Sequence, residues 1–303
     1  MKNPEDIRIL VVGDIMLDKY IVGDVSRISP EAPVPIVNVS EEYHTLGGCG
    51  NVARNIRELG ATVDCLASIG GDRDGKKVLD ELDHIGVNTN LILMGSYQTI
   101  AKERIISDQR QVQMLRIDRE SIEKINSESA IKRLETININ DYDMIVVSDY
   151  AKGMITDELM IYLKSHDVKI IVDPKPVNGH MYNGVYMITP NQKEWGSMRV
   201  ASSYILTNVP FFLVTKGRDG MTLIEPEGDY YWEIPAEPVE IYNVSGAGDT
   251  VIAVMSVCIS MGVPVLDAAR HANRCAGEVV TQPGTTVVSK NLFMKFFKHN
   301  IKN

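Results

Sequence analysis

In NVSGAGDT, residues 243–250, the small residues Gly246, Ala247 and Gly248 lead to a carboxylate, Asp249, and the apolar run VIAVMSV follows at once. Small residues at a helix start leave backbone N–H groups pointing into open space, where the helix dipole favours negative charge. The segment could cradle an anion, with Asp249 either a base beside it or a plain helix cap. Alone it does not choose. Phosphoryl transfer uses these parts: an anion cradle, an in-line nucleophile and a base for the hydroxyl proton. A second glycine group, GCGNVA (48–53), satisfies the relaxed dinucleotide pattern Gly-x-Gly-x-x-Ala, but the polar, loop-like EEYHTL precedes it. A dinucleotide fingerprint must directly follow a core strand. The better use of Gly47, Gly48 and Gly50 is a backbone lying close against a ligand at the start of the helix NVARNIRELG, with Asn51 projecting into the site. No Gly-x-x-x-x-Gly-Lys-Ser/Thr, protein-kinase motif set or His-Glu-x-x-His occurs, and the six histidines are scattered. P-loop, protein-kinase and zinc chemistry therefore have no support.

Elements must bring these residues together. Apolar runs of strand length recur at ILVVG (9–13), MIVVSD (144–149), KIIVD (169–173), VYMITP (185–190) and FFLVTKG (211–217), with helical segments between several of them. Such a pattern predicts a mostly parallel sheet covered on both faces. Ligands in these folds bind beyond the C-terminal strand ends, which singles out Asp14, Asp149, Asp173, Asn191 and Lys216. Segments 18–46, with three prolines, and 91–118 alternate like exposed strands and predict a small separate β-sheet, a lid or a subunit contact. The chain of 303 residues is 44% apolar and carries a formal charge of −9, from 31 basic and 40 acidic residues. That balance argues against nucleic-acid binding. The apolar stretch from Val251 to Leu266 is broken by Gly262 and Pro264 and reads as a buried helix rather than a membrane span. The acidic N-terminus is no signal peptide, and the four separated cysteines fit reduced thiols in a cytoplasmic protein.

The motifs together resemble the ribokinase/PfkB carbohydrate kinases. NVSGAGDTVIAV is similar to that family's C-terminal signature, and GGCGNVARNIRELG to its N-terminal one. GDIMLDKYIVGDVSRISPEAPVPIV narrows the resemblance to the D-glycero-D-manno-heptose 7-phosphate kinases of lipopolysaccharide-core synthesis. SDYAKG (148–153), IVDPK (171–175), ITPNQKE (188–194), LVTKGRDGMTL (213–223) and GTTVVS (284–289) follow in that family's order, so nearly the whole chain is covered. The resemblance implies one ribokinase-like domain over residues 1–303, an αβα sandwich with a β-lid. It implies Asp249 as catalytic base and Gly246, Ala247 and Gly248 as the anion hole. Asn191 and Glu194 would organise Mg²⁺ and the phosphates of ATP, Glu194 through water. Lys216 and Gly217 would line the nucleotide pocket, with His271 and Asn273 near the adenine. Asp14, Gly47, Gly48 and Asn51 would hold sugar hydroxyls, with Asp18 and Lys175 beside them. A sugar phosphate also needs a cation. Lys102, Arg104, Arg110 and Arg116 share one strand face by their even spacing, and Arg27 is another candidate.

Three features depart from the family pattern. Asn243 stands where the family most often has Asp, at a position linked to a monovalent cation, and a neutral amide is a weaker ligand. The stretch from Glu194 to Leu213 is short. The common heptose enzymes continue into a nucleotidyltransferase domain, so this chain reads as a stand-alone kinase or the kinase portion of a larger one. The expected activity is ATP-dependent phosphorylation of the anomeric hydroxyl of D-glycero-D-manno-heptose 7-phosphate to the 1,7-bisphosphate. The alternatives are another sugar or phosphosugar kinase, or a catalytically silent sugar-nucleotide sensor. Proline-bounded lid strands expose edges unless paired, which suggests a homodimer joined through the lids.

Overall fold

The computed structural model describes residues 1–108, 112–120, 125–201, 208–282, 284 and 286–300. Strand β1 (Arg8–Gly13) leads through Asp14 into a long hairpin, β2 (Ile15–Ile28) and β3 (Pro35–Gly48), which runs directly into helix α1 (Cys49–Glu58). Next come β4 (Thr62–Leu66), β5 (Ser68–Gly70), α2 (Arg73–His84), β6 (Leu93–Gly95), β7 (Ala101–Ser107) and β8 (Val112–Arg119). Helices and strands then alternate through α3 (Ser127–Leu134), β9 (Met144–Ser148), α4 (Asp157–Lys164), β10 (Ile170–Asp173), β11 (Met187–Ile188), α5 (Gln192–Ala201) and β12 (Phe211–Thr215). The hairpin β13 (Met221–Glu225) and β14 (Tyr230–Ile234) precedes helices α6 (Ala247–Ser260), α7 (Val265–Val279) and α8 (Lys290–Asn300).

The main sheet has the order β14-β13-β12-β11-β10-β9-β1-β4. Strands β4 through β12 are parallel, and β13 and β14 close one edge antiparallel. Its strands read as unbroken apolar runs because both faces are covered. Ile9 and Val11 face a core shared with α1, α2, α6, α7 and α8, while Leu10 and Val12 face one shared with α3, α4 and α5. Full burial of each such side chain stabilises by about 1.5–3 kcal/mol. The five runs read from the sequence are therefore all central strands. Helix α6 is apolar almost all round, and its residues from Asp249 to Ile259 are buried. No helix among the described residues is long and apolar enough to cross a membrane.

A second sheet, β3-β2-β7-β8, forms the lid. Its hairpin starts at Ile15 and returns at Gly48, so both roots sit at the end of β1, and the Cys49 N–H closes on the Asp14 carbonyl (3.0 Å). At roughly 3.3 Å per residue the hairpin is about 45 Å long, buried at its root and exposed over much of its far half. Residues 93–95 depart from the expected lid. They pair parallel with β5 instead, a partner across α2 that no local alternation announces.

Candidate active site

Helix α6 begins at Gly246, whose φ of 81° belongs to the left-handed region that favours glycine. The first turn of a helix has backbone donors without intrahelical partners. The Ala247 N–H turns back to the Val244 carbonyl (3.3 Å), which leaves the Gly248 and Asp249 amides as its open donors. A methyl group built on Gly248 would meet no atom within 4 Å. Glycine here is therefore not demanded by the protein's own packing; it leaves room for something else.

Asp249 does not cap its helix. Its Oδ2 accepts from Asn51 Nδ2 (2.6 Å) and its Oδ1 from the Tyr150 hydroxyl (3.2 Å). The residue is only 7% exposed. Burial pushes its carboxyl up to about 6; the Asn51 and Tyr150 hydrogen bonds pull the other way, Asp18 adds to the rise and Lys102 opposes it. Asn51, on α1, is 1% exposed, and its Oδ1 has no hydrogen-bond partner among the described residues.

The parallel strand ends bring further groups to this point. The Asp14 carboxylate accepts three backbone N–H groups, from Tyr150 (2.8 Å), Lys152 (3.0 Å) and Met154 (2.9 Å). Burial still leaves its pKa raised. Asp14 thus anchors the loop after β9 with both of its oxygens. Asp149 fastens the same loop, accepting from Ala151 N (2.6 Å), Asn178 Nδ2 (2.7 Å) and the Tyr182 hydroxyl (2.5 Å). At the end of β10, burial and then the charges of Asp249 and Glu194 hold the Asp173 carboxyl well above its usual range. Asn191 and Glu194 form a reciprocal capping box at the start of α5: Glu194 N–H donates to Asn191 Oδ1 (2.9 Å) and Asn191 N–H to Glu194 Oε2 (3.0 Å). Lys175 Nζ takes the other oxygen of Glu194 at 2.6 Å.

Beside the α6 N-terminus lies a cavity of about 680 Å³, lined by Asn191, Gly217, Arg218, Gly248, Val251 and Asn273 among others. Asp249 faces the other side of that helix start, toward Asn51 and Tyr150. Of the residues expected on the nucleotide side, Glu194, Lys216 and His271 are not in the cavity wall. Lys216 turns away to pair with Glu233 (2.8 Å). His271 is 3% exposed and its ring stacks on Phe297 at 4.1 Å between centroids, because it occupies the face of α7 that packs on α8. Arg218, one residue beyond the expected pair, lines the cavity instead.

On the lid side, Arg104 pairs with Asp18 (2.7 Å) and Arg116 with its neighbour Asp118 (2.7 Å). Lys102 stands over the Tyr150 ring at 5.4 Å and has no ion-pair partner among the described residues. Arg110 lies outside the described residues. Arg27 is exposed and paired with Ile36 near the hairpin tip; nine positions beyond Asp18, it is roughly 30 Å along the strand from the cluster. Gly47 and Gly48 have reasons of their own. An added Cβ would lie 2.6 Å from Asp18 Oδ2 at Gly47 and 2.2 Å from the Asp14 carbonyl at Gly48. Tyr150 was missed in the sequence because only the fold directs a strand-end tyrosine at a helix N-terminus; its adjacency to Asp149 was the one available signal.

A parallel α/β sandwich, a β-lid rooted at the end of β1 and a carboxylate at an open helix N-terminus define a sugar-kinase architecture. The chain superposes on Escherichia coli phosphofructokinase-2, solved in complex with potassium, with a TM-score of 0.77, 16% identity and coverage of 98% of this chain and 99% of that one. It superposes on Arabidopsis thaliana ribokinase, solved with ribose and ATP, with a TM-score of 0.75, 17% identity and coverage of 96% and 98%. Residues 6–291 match the model of the pfkB family of carbohydrate kinases, and the chain belongs to that family. It is similar to a protein named D-beta-D-heptose 7-phosphate kinase from Bordetella bronchiseptica, 37% identical with 93% of each chain covered. It is also similar to one named Bifunctional protein HldE from Desulfatibacillum aliphaticivorans, 40% identical over 93% of this chain. The chain spans 61% of that relative's length.

A substitution separates a ligand cradle from a structural glycine. Gly248→Ala is expected to leave the melting temperature unchanged or raise it, since alanine favours a helix by up to about 1 kcal/mol, while kinase turnover falls at least tenfold. Wild-type turnover, or a clear loss of melting temperature, would remove Gly248 from the cradle.

Proposed function

We propose that the protein transfers the γ-phosphoryl group of ATP to the anomeric hydroxyl of D-glycero-D-manno-heptose 7-phosphate, giving the 1,7-bisphosphate and ADP. The observation that carries this reading is Asp249, turned away from its own helix amides and held at the boundary between the cavity and the lid side. The names of the relatives, including one matched over nearly its full length, support heptose 7-phosphate as the sugar.

In this mechanism Asp249 takes the proton of the C1 hydroxyl as that oxygen bonds to the γ-phosphorus and the β–γ bridging P–O bond breaks. The Gly248 and Asp249 amides donate to the transferring oxygens at the positive end of α6. The unpartnered Oδ1 of Asn51 offers an acceptor for a sugar hydroxyl, and Arg218 a cation for the nucleotide phosphates. Lys102, on the lid and without an ion-pair partner among the described residues, is the cation for the sugar phosphate or the group in transfer.

Among the described residues no set of three or more His, Cys, Asp or Glu side chains is arranged to hold a metal. The residues nonetheless fit Mg²⁺ that keeps its water shell. Asp173, Asp249 and Glu194 crowd negative charge at one place, and Glu194, already engaged by Lys175 and Asn191, would reach the ion through water. When bound with ATP, the ion would neutralise charge on the phosphates.

Three measurements test this reading. A coupled ADP-release assay is expected to favour heptose 7-phosphate over fructose 6-phosphate and ribose. In that assay Asp249→Asn should lose roughly 10²–10⁴-fold in turnover, the worth of one general base, without losing melting temperature. Ionising a carboxyl whose folded pKa is raised costs stability at neutral pH, a cost relieved as the pH falls through about 6. Near-normal turnover in the variant would sink the mechanism, and a preference for an unphosphorylated sugar would sink the substrate.

The second measurement concerns cations. Asn243 spends its amide on Ser245 N–H (2.9 Å) and the Gly284 carbonyl (3.2 Å), so activity is expected to survive replacement of potassium by tetramethylammonium. A tenfold drop would contradict that. The third concerns assembly. A dimer joined through the lids would cover exposed lid residues such as Val39, Val112 and Leu115, and sedimentation at assay concentration should give twice the chain mass; a monomer would rule it out.

A further inference from the structure

Asp249 is held by two donors from different elements, and only one of them, Asn51, was given a role from the sequence. Resting on the reading above, we propose that Tyr150 is a positioning residue for the transfer step, its phenol aiming Oδ1 of Asp249 at the incoming sugar hydroxyl. The phenol is itself fixed. Its backbone N–H is bonded to Asp14 Oδ2 at 2.8 Å, and the next residue, Ala151, takes a positive φ of 54° while donating to Asp149. Moving Tyr150 would undo the Asp14 and Asp149 bonds together, so the hydroxyl is pre-set rather than recruited. Two ammonium groups stand over the ring, Lys102 Nζ from the lid at 5.4 Å and Lys175 Nζ from beyond β10 at 5.2 Å. It is therefore placed where lid, cradle and phosphate-side groups meet.

The phenol stays a donor at every working pH. The charge of Asp249, then burial, then Asp173 keep it well above the ordinary tyrosine range. Its hydrogen bond opposes the burial that raises Asp249, as does that of Asn51. The other ionisable groups facing Asp249 are Asp18 and Lys102 on the lid strands, Asp173 at the end of β10 and Cys49 at the start of α1. Tyr150→Phe leaves all of these in place and deletes one donor. Losing a donor to the ionised form raises a carboxyl pKa, so the acid limb of the pH profile must move toward higher pH.

The test compares the wild type with Tyr150→Phe, with ATP and heptose 7-phosphate, from about pH 5 to pH 9, beside ¹³C NMR titration of the Asp249 carboxyl. Near neutral pH, kcat is expected to fall roughly 10- to 100-fold, the worth of one hydrogen bond to a charged group. KM for ATP should hold, the acid limb should rise, and part of the loss should return on the alkaline side. The NMR titration should shift upward likewise, and it reads the contact even in a variant too slow to assay. An Asp249 titration identical in the two proteins would overturn the proposal. Wild-type turnover in Asp249→Asn would instead overturn the assignment of the base, while leaving the NMR comparison meaningful for Tyr150.

Discussion

A carboxylate taken almost wholly out of water is tolerable as an anion only if hydrogen-bond donors replace the lost solvent. Asp249 meets that condition with two, Asn51 and Tyr150, which come from two separate segments, both earlier in the chain. One residue serves both. The Asp14 carbonyl receives the N–H of Cys49, which starts the helix carrying Asn51, and the Asp14 carboxylate receives the N–H of Tyr150 itself. Asp14 lies directly after the central strand and between the roots of the lid. A buried residue just past the end of β1 is in this way the reference for the group proposed to do the chemistry.

The α6 N-terminus then acts as a partition. Gly248 and Val251 line the cavity on one side, while Asp249 looks to the lid on the other. A donor and an acceptor substrate on the two sides would meet at the first turn, where the open amides and the positive end of the helix coincide. Beside this turn Glu194 is paired with Lys175, and burial with the charges of Asp249 and Glu194 holds the Asp173 carboxyl well above its usual range.

Much of this was legible in the sequence. The apolar runs ending in Asp14, Asp149 and Asp173 needed only burial on two faces to become adjacent parallel strands. The Asn191–Glu194 pair was noted from the resemblance as a phosphate-side pair, and the fold shows it to be a capping box as well, a local device with fixed spacing. Which of the expected side chains border the cavity depends on the direction each one takes. Lys216 and Gly217 are neighbours, yet only Gly217 borders the cavity, since the Lys216 side chain turns toward Glu233 on β14. His271 is on the expected helix but on its α8-facing side, and Arg27 shares a strand with Asp18 roughly 30 Å farther along it. Tyr150 went unnoticed because nothing in its own neighbourhood shows what it will touch.

The sequence by itself determined the classes of element and their polarity: buried parallel strands, a glycine-opened helix, a proline-bounded lid, and the motif order of a carbohydrate kinase. Those are set by short-range sterics and by how much apolar surface must leave water. Tertiary structure alone decided which side chains share the site, pairing Tyr150 with a carboxylate 99 residues away and diverting Lys216 and His271 elsewhere. Hydrogen-bond geometry and desolvation depend on positions in space, and a linear pattern carries no record of them until the sheet has ordered its strands.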